Sequence, residues 1–146
     1  MKGTIEMPEM MEISKHDQKP EKVSDIPIFF ADTYALVELL RGNPNYEPYL
    51  NAQLVTSKFN VVELYYRLLS DKGKAIADEE LNVYAKLEIP ITYNSIKNGM
   101  GFKLRHKKEK LSYVDCVGYA LALELGIKFL TGDQKFGDKP NVAFVK

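Results

Sequence analysis

Ile26-Pro27-Ile28-Phe29-Phe30-Ala31-Asp32 and Ile127-Lys128-Phe129-Leu130-Thr131-Gly132-Asp133 decide the fold of this chain. Each is a short apolar run closed by an Asp, the length of a buried strand rather than of a helix. Between them, strand-like and helix-like blocks alternate, which argues for an α/β three-layer sandwich with a central parallel sheet flanked by helices. Parallel strands end on one edge of their sheet. Asp32 and Asp133, a hundred residues apart, are therefore expected to meet in a crevice at that edge.

A helix is predicted over residues 33–41, ended by Gly42, and a short helix over 45–51. Residues 53–56 form a short strand candidate, and Ser57 caps a long helix over 58–72 that Gly73 ends. Helical spacing continues through Ile76, Leu81, Tyr84 and Leu87 until Pro90 stops it, and residues 89–93 are a further strand candidate. Residues 94–110 read as a helix with a basic end, weakened by Gly99 and Gly101. Ser112 caps a nearly all-apolar helix that Gly126 ends, and 127–131 and 141–145 supply the last strands.

The 146 residues, 45% of them apolar, suffice for one domain with its own core. Residues 1–25 differ in texture: they hold no aromatic and no sustained period, so a flexible N-terminal arm is expected ahead of a domain over 26–146. Twenty basic and twenty acidic residues cancel, so any nucleic-acid partner must be held by a local patch. The single Cys116 excludes an internal disulfide and a thiolate zinc site, which fits a reducing cytoplasm. No apolar run is long enough for a membrane span or a signal peptide. The apolar groups of Tyr46, Tyr49 and Leu50 look exposed, which predicts self-association.

Four acids deserve weighing: Asp32, Glu63, Asp115 and Asp133. Each has a plain structural explanation. Asp32 is placed to cap a helix, Asp115 lies three residues after Ser112 as in a capping box, and Asp133 sits in a Thr-Gly-Asp turn. Glu63 shares the polar face of its helix with Asn60, Arg67 and Ser70, where solvation is the default. Two features weigh against these readings. Asp115 is the only charge before Glu124 in an otherwise apolar, buried-looking helix, and a buried carboxylate is costly without a compensating cation or donors. Strand topology also converges Asp32, Asp115 and Asp133 on one edge, where their mutual repulsion is relieved by a hard divalent ion, Mg²⁺ or Mn²⁺.

Lys103 to Lys110 carries five formal positive charges in eight residues. Such a run suits a solvated helix end; the functional reading is a phosphate-tracking patch in which Arg105, Lys107 and Lys108, with Lys135 near Asp133, contact RNA or a partner protein.

Three blocks, IFFADTYALVELL from Ile28, VTSKFNVVELYYRLL from Val55 and LSYVDCVGYALALELGIKFLTGDQKF from Leu111, resemble the signature blocks of PIN-domain ribonucleases, especially VapC-like toxins of prokaryotic toxin–antitoxin pairs. The resemblance covers residues 26–146. It implies a metal-dependent endoribonuclease in which Asp32, Glu63, Asp115 and Asp133 bind Mg²⁺ or Mn²⁺, with Thr33 and Thr131 as supporting polar groups. It also implies an antitoxin partner, a homodimer, and cleavage to a 5′-phosphate and a 3′-hydroxyl. The arm and the segment 93–111 depart from the usual pattern of the family. Two rival readings are a non-catalytic scaffold binding RNA or protein, which the presence of all four acids disfavours, and another Mg²⁺-dependent phosphohydrolase, which the lack of a paired acid beside Asp32 disfavours. No glycine-rich phosphate loop supports nucleotide cradling.

Overall fold

The computed structural model describes residues 25–146, so the arm expected at 1–25 lies, except for Asp25, outside the described residues. Strands β1 (Ile28–Ala31), β2 (Gln53–Val55), β3 (Lys128–Thr131) and β4 (Val142–Phe144) form one parallel sheet in the order β2-β1-β3-β4. Phe30 pairs in register with Phe129, and Ala31 with Leu130. Because side chains alternate along a strand, these two rungs face opposite ways and seed two separate cores.

On one face Phe30 and Phe129 stack at 5.9 Å and join Phe102, Tyr119 and Phe136, beneath helices α4 (Tyr93–Arg105) and α5 (Tyr113–Leu125). On the other face Ala31 and Leu130 pack with Leu36, Leu64, Leu68 and Ala77 from helices α1 (Thr33–Leu40), α2 (Lys58–Lys72) and α3 (Lys74–Tyr84). The result is the expected three-layer sandwich. No helix among the described residues is long and apolar enough to cross a membrane.

The start signals read from sequence act as caps. Ser57 Oγ accepts from the Asn60 amide at the start of α2, and Ser112 Oγ accepts from the Asp115 amide at 3.0 Å at the start of α5. Helix α4 begins one residue before its predicted start, because Thr92 and Ser95 form a reciprocal capping box. It also ends early, at Arg105, and the basic segment continues as a short 3-10 turn over Lys107–Glu109. The residue that seemed to weaken this helix serves its packing: a Cβ on Gly99 would stand 2.8 Å from the Cys116 carbonyl oxygen, so only glycine lets α4 lie this close to α5.

Two expectations fail. The strand predicted at 89–93 does not form; a single bridge links Thr56 to Glu88, and Pro90, lacking an amide donor, cannot extend it. Tyr46, predicted to be exposed, is 1% exposed and packs among the core residues beside Leu36 and Leu130, while Leu50 is 64% exposed as expected. The segment 45–51 is a 3-10 helix, Pro44–Tyr49, which turns Tyr46 inward.

Candidate functional site

Asp32 follows β1 directly, and Asp133 follows β3 after Gly132; β1 and β3 are adjacent, so both acids emerge side by side at the C-terminal edge of the sheet. The Asp32 amide donates to the Leu130 carbonyl at 3.2 Å, extending the β1–β3 pairing to the site itself. Helix α5 starts at this edge and presents Asp115 from its first turn, while α2 brings Glu63 from the opposite helical layer. All four acids line one open cavity of about 670 Å³, together with Thr33, Tyr34, Tyr66 and Arg67. Among the described residues, Arg67 is the cavity's only cationic side chain to form an ion pair, and it pairs with Asp71 at 3.2 Å rather than with these acids.

Each carboxylate is partly engaged locally and partly free. Asp32 is 1% exposed, and its Oδ1 accepts from the Ala35 amide at 2.8 Å, the helix cap expected from sequence. Burial pushes its pKa up to about 8, with the Asp115 and Asp133 charges adding to the rise against hydrogen bonds from the Thr131 side chain and the Ala35 amide. Asp115 is pushed up to about 6, again first by burial and then by Glu63 and Asp133, against the Ser112 side chain and the Lys135 charge. Asp133 Oδ1 accepts from the Lys135 amide at 3.0 Å, and its own amide donates to Thr131 Oγ1 at 2.9 Å. Thr131, fully buried, thus ties Asp32 to Asp133.

Glu63 is held from the other side. Thr33 Oγ1 donates to Glu63 Oε1 at 2.6 Å, Asn60 Nδ2 donates to Thr33 Oγ1 at 3.1 Å, and Ser57 Oγ donates to Asn60 Oδ1 at 2.6 Å. Asn60 is fully buried, not on a solvated face as its position beside Glu63 suggested. The chain of bonds crosses from α2 to the first residue of α1, and nothing in the sequence spacing announces a contact over thirty residues. Tyr46 was missed for a similar reason. Its hydroxyl is buried without a hydrogen-bond partner among the described residues, and burial, with the nearby Asp32 charge, raises its pKa.

The oxygen-only donor set and the uncompensated buried charge fit a hard divalent cation. Among the described residues no group of three or more His, Cys, Asp or Glu is gathered tightly enough to hold a metal ion by itself. Mg²⁺ is commonly held by one or two carboxylates, retained waters and substrate phosphate oxygens rather than by a closed protein cage. The surroundings of Asp32 and Asp115 disfavour their charged forms, a cost that a bound cation would relieve.

The cations predicted beside the crevice are dispersed. Lys135 stands at its margin, close enough for its charge to act on Asp115, and its Nζ donates to the Lys110 carbonyl at 3.2 Å. Arg105 instead lines a separate cavity between α4 and α5 with Lys97, Phe102 and Glu124, and Lys107 and Lys108 are exposed.

Comparison with known proteins agrees with this architecture. Structures similar to this chain include the sarcin-ricin loop cleaving toxin VapC20 of Mycobacterium tuberculosis, with TM-score 0.68 and 17% identity over 81% of this chain and 99% of that one. They also include VapBC2 of Rickettsia felis bound to a DNA fragment from its promoter, with TM-score 0.62 and 16% identity over 80% of this chain and 96% of that one. A third is VapBC-1 of nontypeable Haemophilus influenzae, with TM-score 0.59 and 17% identity over 76% and 93%. No curated protein sequence matches the chain. The profile of the PIN domain matches residues 29–142, which takes in β2, β3, β1 from Phe29 onward, the first residue of β4 and all four acids of the crevice, and on that match the chain belongs to the PIN domain family.

Proposed function

We propose that this chain is a Mg²⁺- or Mn²⁺-dependent endoribonuclease, acting as the toxin of a toxin–antitoxin pair. The observation that carries the reading is the convergence of Asp32, Glu63, Asp115 and Asp133 on one cavity, with Asp32 buried and none of the four in a salt bridge among the described residues. Carboxylates in such a place are held against their own repulsion, which makes sense if a cation binds there in use. Asp32 and Asp115 are its direct ligands, Asp133 a direct or water-mediated one, and Glu63 binds through water or orients the attacking water. A bound ion of this kind supplies an activated water and neutralises charge on the phosphoryl oxygens during hydrolysis.

The chain's own residues supply the positioning. Thr33 fixes Glu63, Thr131 spans Asp32 and Asp133, and Ser112 holds Asp115 at the first turn of α5. Arg105, Lys107, Lys108 and Lys135 supply phosphate contacts to RNA or charge for a protein partner. Support for an antitoxin partner comes from similar structures that are toxin–antitoxin complexes, one of them from Klebsiella pneumoniae. A face for a protein partner, the antitoxin or a second copy in a homodimer, exists on α2. There Phe59, Val62, Tyr66 and Leu69 recur at helical spacing and are all exposed. The setting is the cytoplasm, where both RNA and antitoxin are found.

The test is cleavage of a single-stranded and a hairpin RNA by the purified chain, with Mg²⁺, with Mn²⁺ and with EDTA. Cleavage that requires the ion and leaves a 5′-phosphate supports the reading. Cleavage unaffected by EDTA, or none with either ion, overturns it.

A further inference from the structure

The acidic crevice explains how a phosphodiester would be attacked but not how RNA is held, because carboxylates repel the backbone they must act on. The answer lies two residues from the buried Asp32. Tyr34, the second residue of α1, is 48% exposed and lines two cavities at once. One is the acidic crevice. The other, about 430 Å³, is formed with Gly132, Asp133, Gln134, Lys135 and Phe144. Its volume falls within the roughly 300–1,000 Å³ of small-ligand sites.

The ring of Tyr34 is not a loose surface aromatic. A Cβ added at Gly132 would lie 2.3 Å from Tyr34 Cε1 and 2.6 Å from the Tyr46 hydroxyl, so the ring rests directly on the backbone between Thr131 and Asp133. Glycine at this position lets an aromatic plane sit against the strand end that carries the acids. Lys135 adds a cation on the same side, its ammonium tethered to the Lys110 carbonyl and its charge acting on Asp115. An aromatic face with a cation beside it, next to a phosphodiester-cleaving crevice, is the arrangement by which single-stranded nucleic acid is gripped without regard to sequence.

We propose that Tyr34 is the stacking platform for the nucleobase adjoining the scissile phosphate, and that Lys135 and Gln134 receive the phosphate and base edge of that same nucleotide in the second cavity. The proposal rests on the ribonuclease reading above and adds to it the place of the neighbouring nucleotide. It also gives the site a preference for unpaired RNA, since a base must leave its helix to reach the ring.

The experiment uses a short single-stranded RNA whose wild-type cleavage site is first mapped. Two further RNAs carry an abasic ribose on one or the other side of that bond. Tyr34→Ala is expected to lower kcat/KM on the intact RNA by about ten- to a hundredfold, the range of stacking one base, mostly through KM. Tyr34→Phe is expected to recover most of that loss, since the ring and not the hydroxyl does the stacking. On one of the two abasic RNAs the wild type should already show the loss, and Tyr34→Ala should add little to it. The same factor lost on all three RNAs would reduce Tyr34 to a support of the fold and overturn the proposal, as would wild-type kcat/KM for Tyr34→Ala. Melting temperatures of both variants separate these outcomes from misfolding. If the wild type cleaves and Tyr34 has no role, only the subsite falls; if the wild type does not cleave, the ribonuclease reading falls with it.

Discussion

The acids of the crevice and the cations of residues 103–110 make an instructive pair. Asp32, Glu63, Asp115 and Asp133 are scattered over a hundred residues and meet in one cavity. The cations are contiguous in sequence and separate in space: Lys103 lies over the Tyr113 ring at 4.9 Å and donates to the Leu111 carbonyl, Arg105 turns to the cavity between α4 and α5, and Lys107 and Lys108 face solvent. Parallel strand ends and helix starts concentrate chemistry at one edge, whereas a charge run on a helix end is splayed by the helical repeat and by the turn that follows. The difference implies different work. The acids should govern the chemical step, and the cations at most the encounter with RNA.

The largest effect that sharpens this contrast is on the acids themselves. Asp32→Asn and Asp115→Asn are each expected to lower metal-dependent RNA cleavage by at least about a hundredfold, the scale on which one catalytic electrostatic group acts. The fold should survive, because each substitution removes a carboxylate whose charge its surroundings disfavour and which forms no salt bridge among the described residues. Single-turnover cleavage with saturating Mg²⁺ measures it. Undiminished cleavage by either variant would place the active centre elsewhere.

Next in size is the pH dependence of stability. The folded-state pKa of Asp32, about 8 against an ordinary 3.8, means that between those values the folded chain binds more protons than the unfolded one. Unfolding free energy therefore falls as pH rises across that window, by an amount on the order of a few kcal/mol, and Asp115 contributes only over the lower part, up to about pH 6. Without divalent ions, chemical denaturation should show greater stability near pH 5 than near pH 8.5, and Asp32→Asn should flatten most of that slope. On the proposed function, added Mg²⁺ should restore stability at the alkaline end, as any ion that binds the folded state and not the unfolded chain does. A slope unchanged in Asp32→Asn would mean that the carboxyl is not strained by burial.

A smaller effect tests the support behind Glu63. Asn60→Ala removes the middle of the Ser57–Asn60–Thr33 chain and leaves the Ser57 hydroxyl short of an acceptor, at a cost of about 1–3 kcal/mol. Cleavage should fall as well, because Thr33 loses the donor that orients it toward Glu63. Stability lost with activity intact would make the network purely structural.

Much of this was legible in the sequence, and the limits are physical. The apolar runs before Asp32 and Asp133, and the caps at Ser57 and Ser112, are local signals, and they gave the parallel sheet and the helix starts correctly. The strand predicted at 89–93 rested on residues that suit a strand, but Pro90 removes the donor that a second rung needs. Gly99 looked like a helix weakness because its function, close approach to Cys116, belongs to a different helix. Tyr46 and Asn60 were read as surface because burial there is decided by the folding of α1 and the 3-10 turn onto the sheet, a long-range outcome that no single window contains.

The smallest expected effect falls on the dispersed cations and bears most directly on the comparison. Arg105, Lys107 and Lys108 lie outside the lining of the acidic crevice, so replacing all three by Ala should leave kcat for RNA cleavage unchanged. Binding should respond through electrostatics alone. Each lost phosphate contact lowers the slope of log affinity against log salt by about one unit, so three contacts would lower it by about three and weaken binding chiefly at low salt. Lys135→Ala, at the crevice margin, removes a single phosphate contact and should lower the slope by about one unit only, but unlike the triple variant it should also reduce cleavage, since it sits beside the stacking ring and near Asp115. Titrating a non-cleavable RNA against each variant at several salt concentrations separates the two. An unchanged slope in the triple variant would show the run to be a solvated helix end, leaving Lys135 to draw RNA to the crevice. A fall in kcat would mean that the segment folds over the crevice in use and that the separation drawn here between chemistry and encounter is wrong.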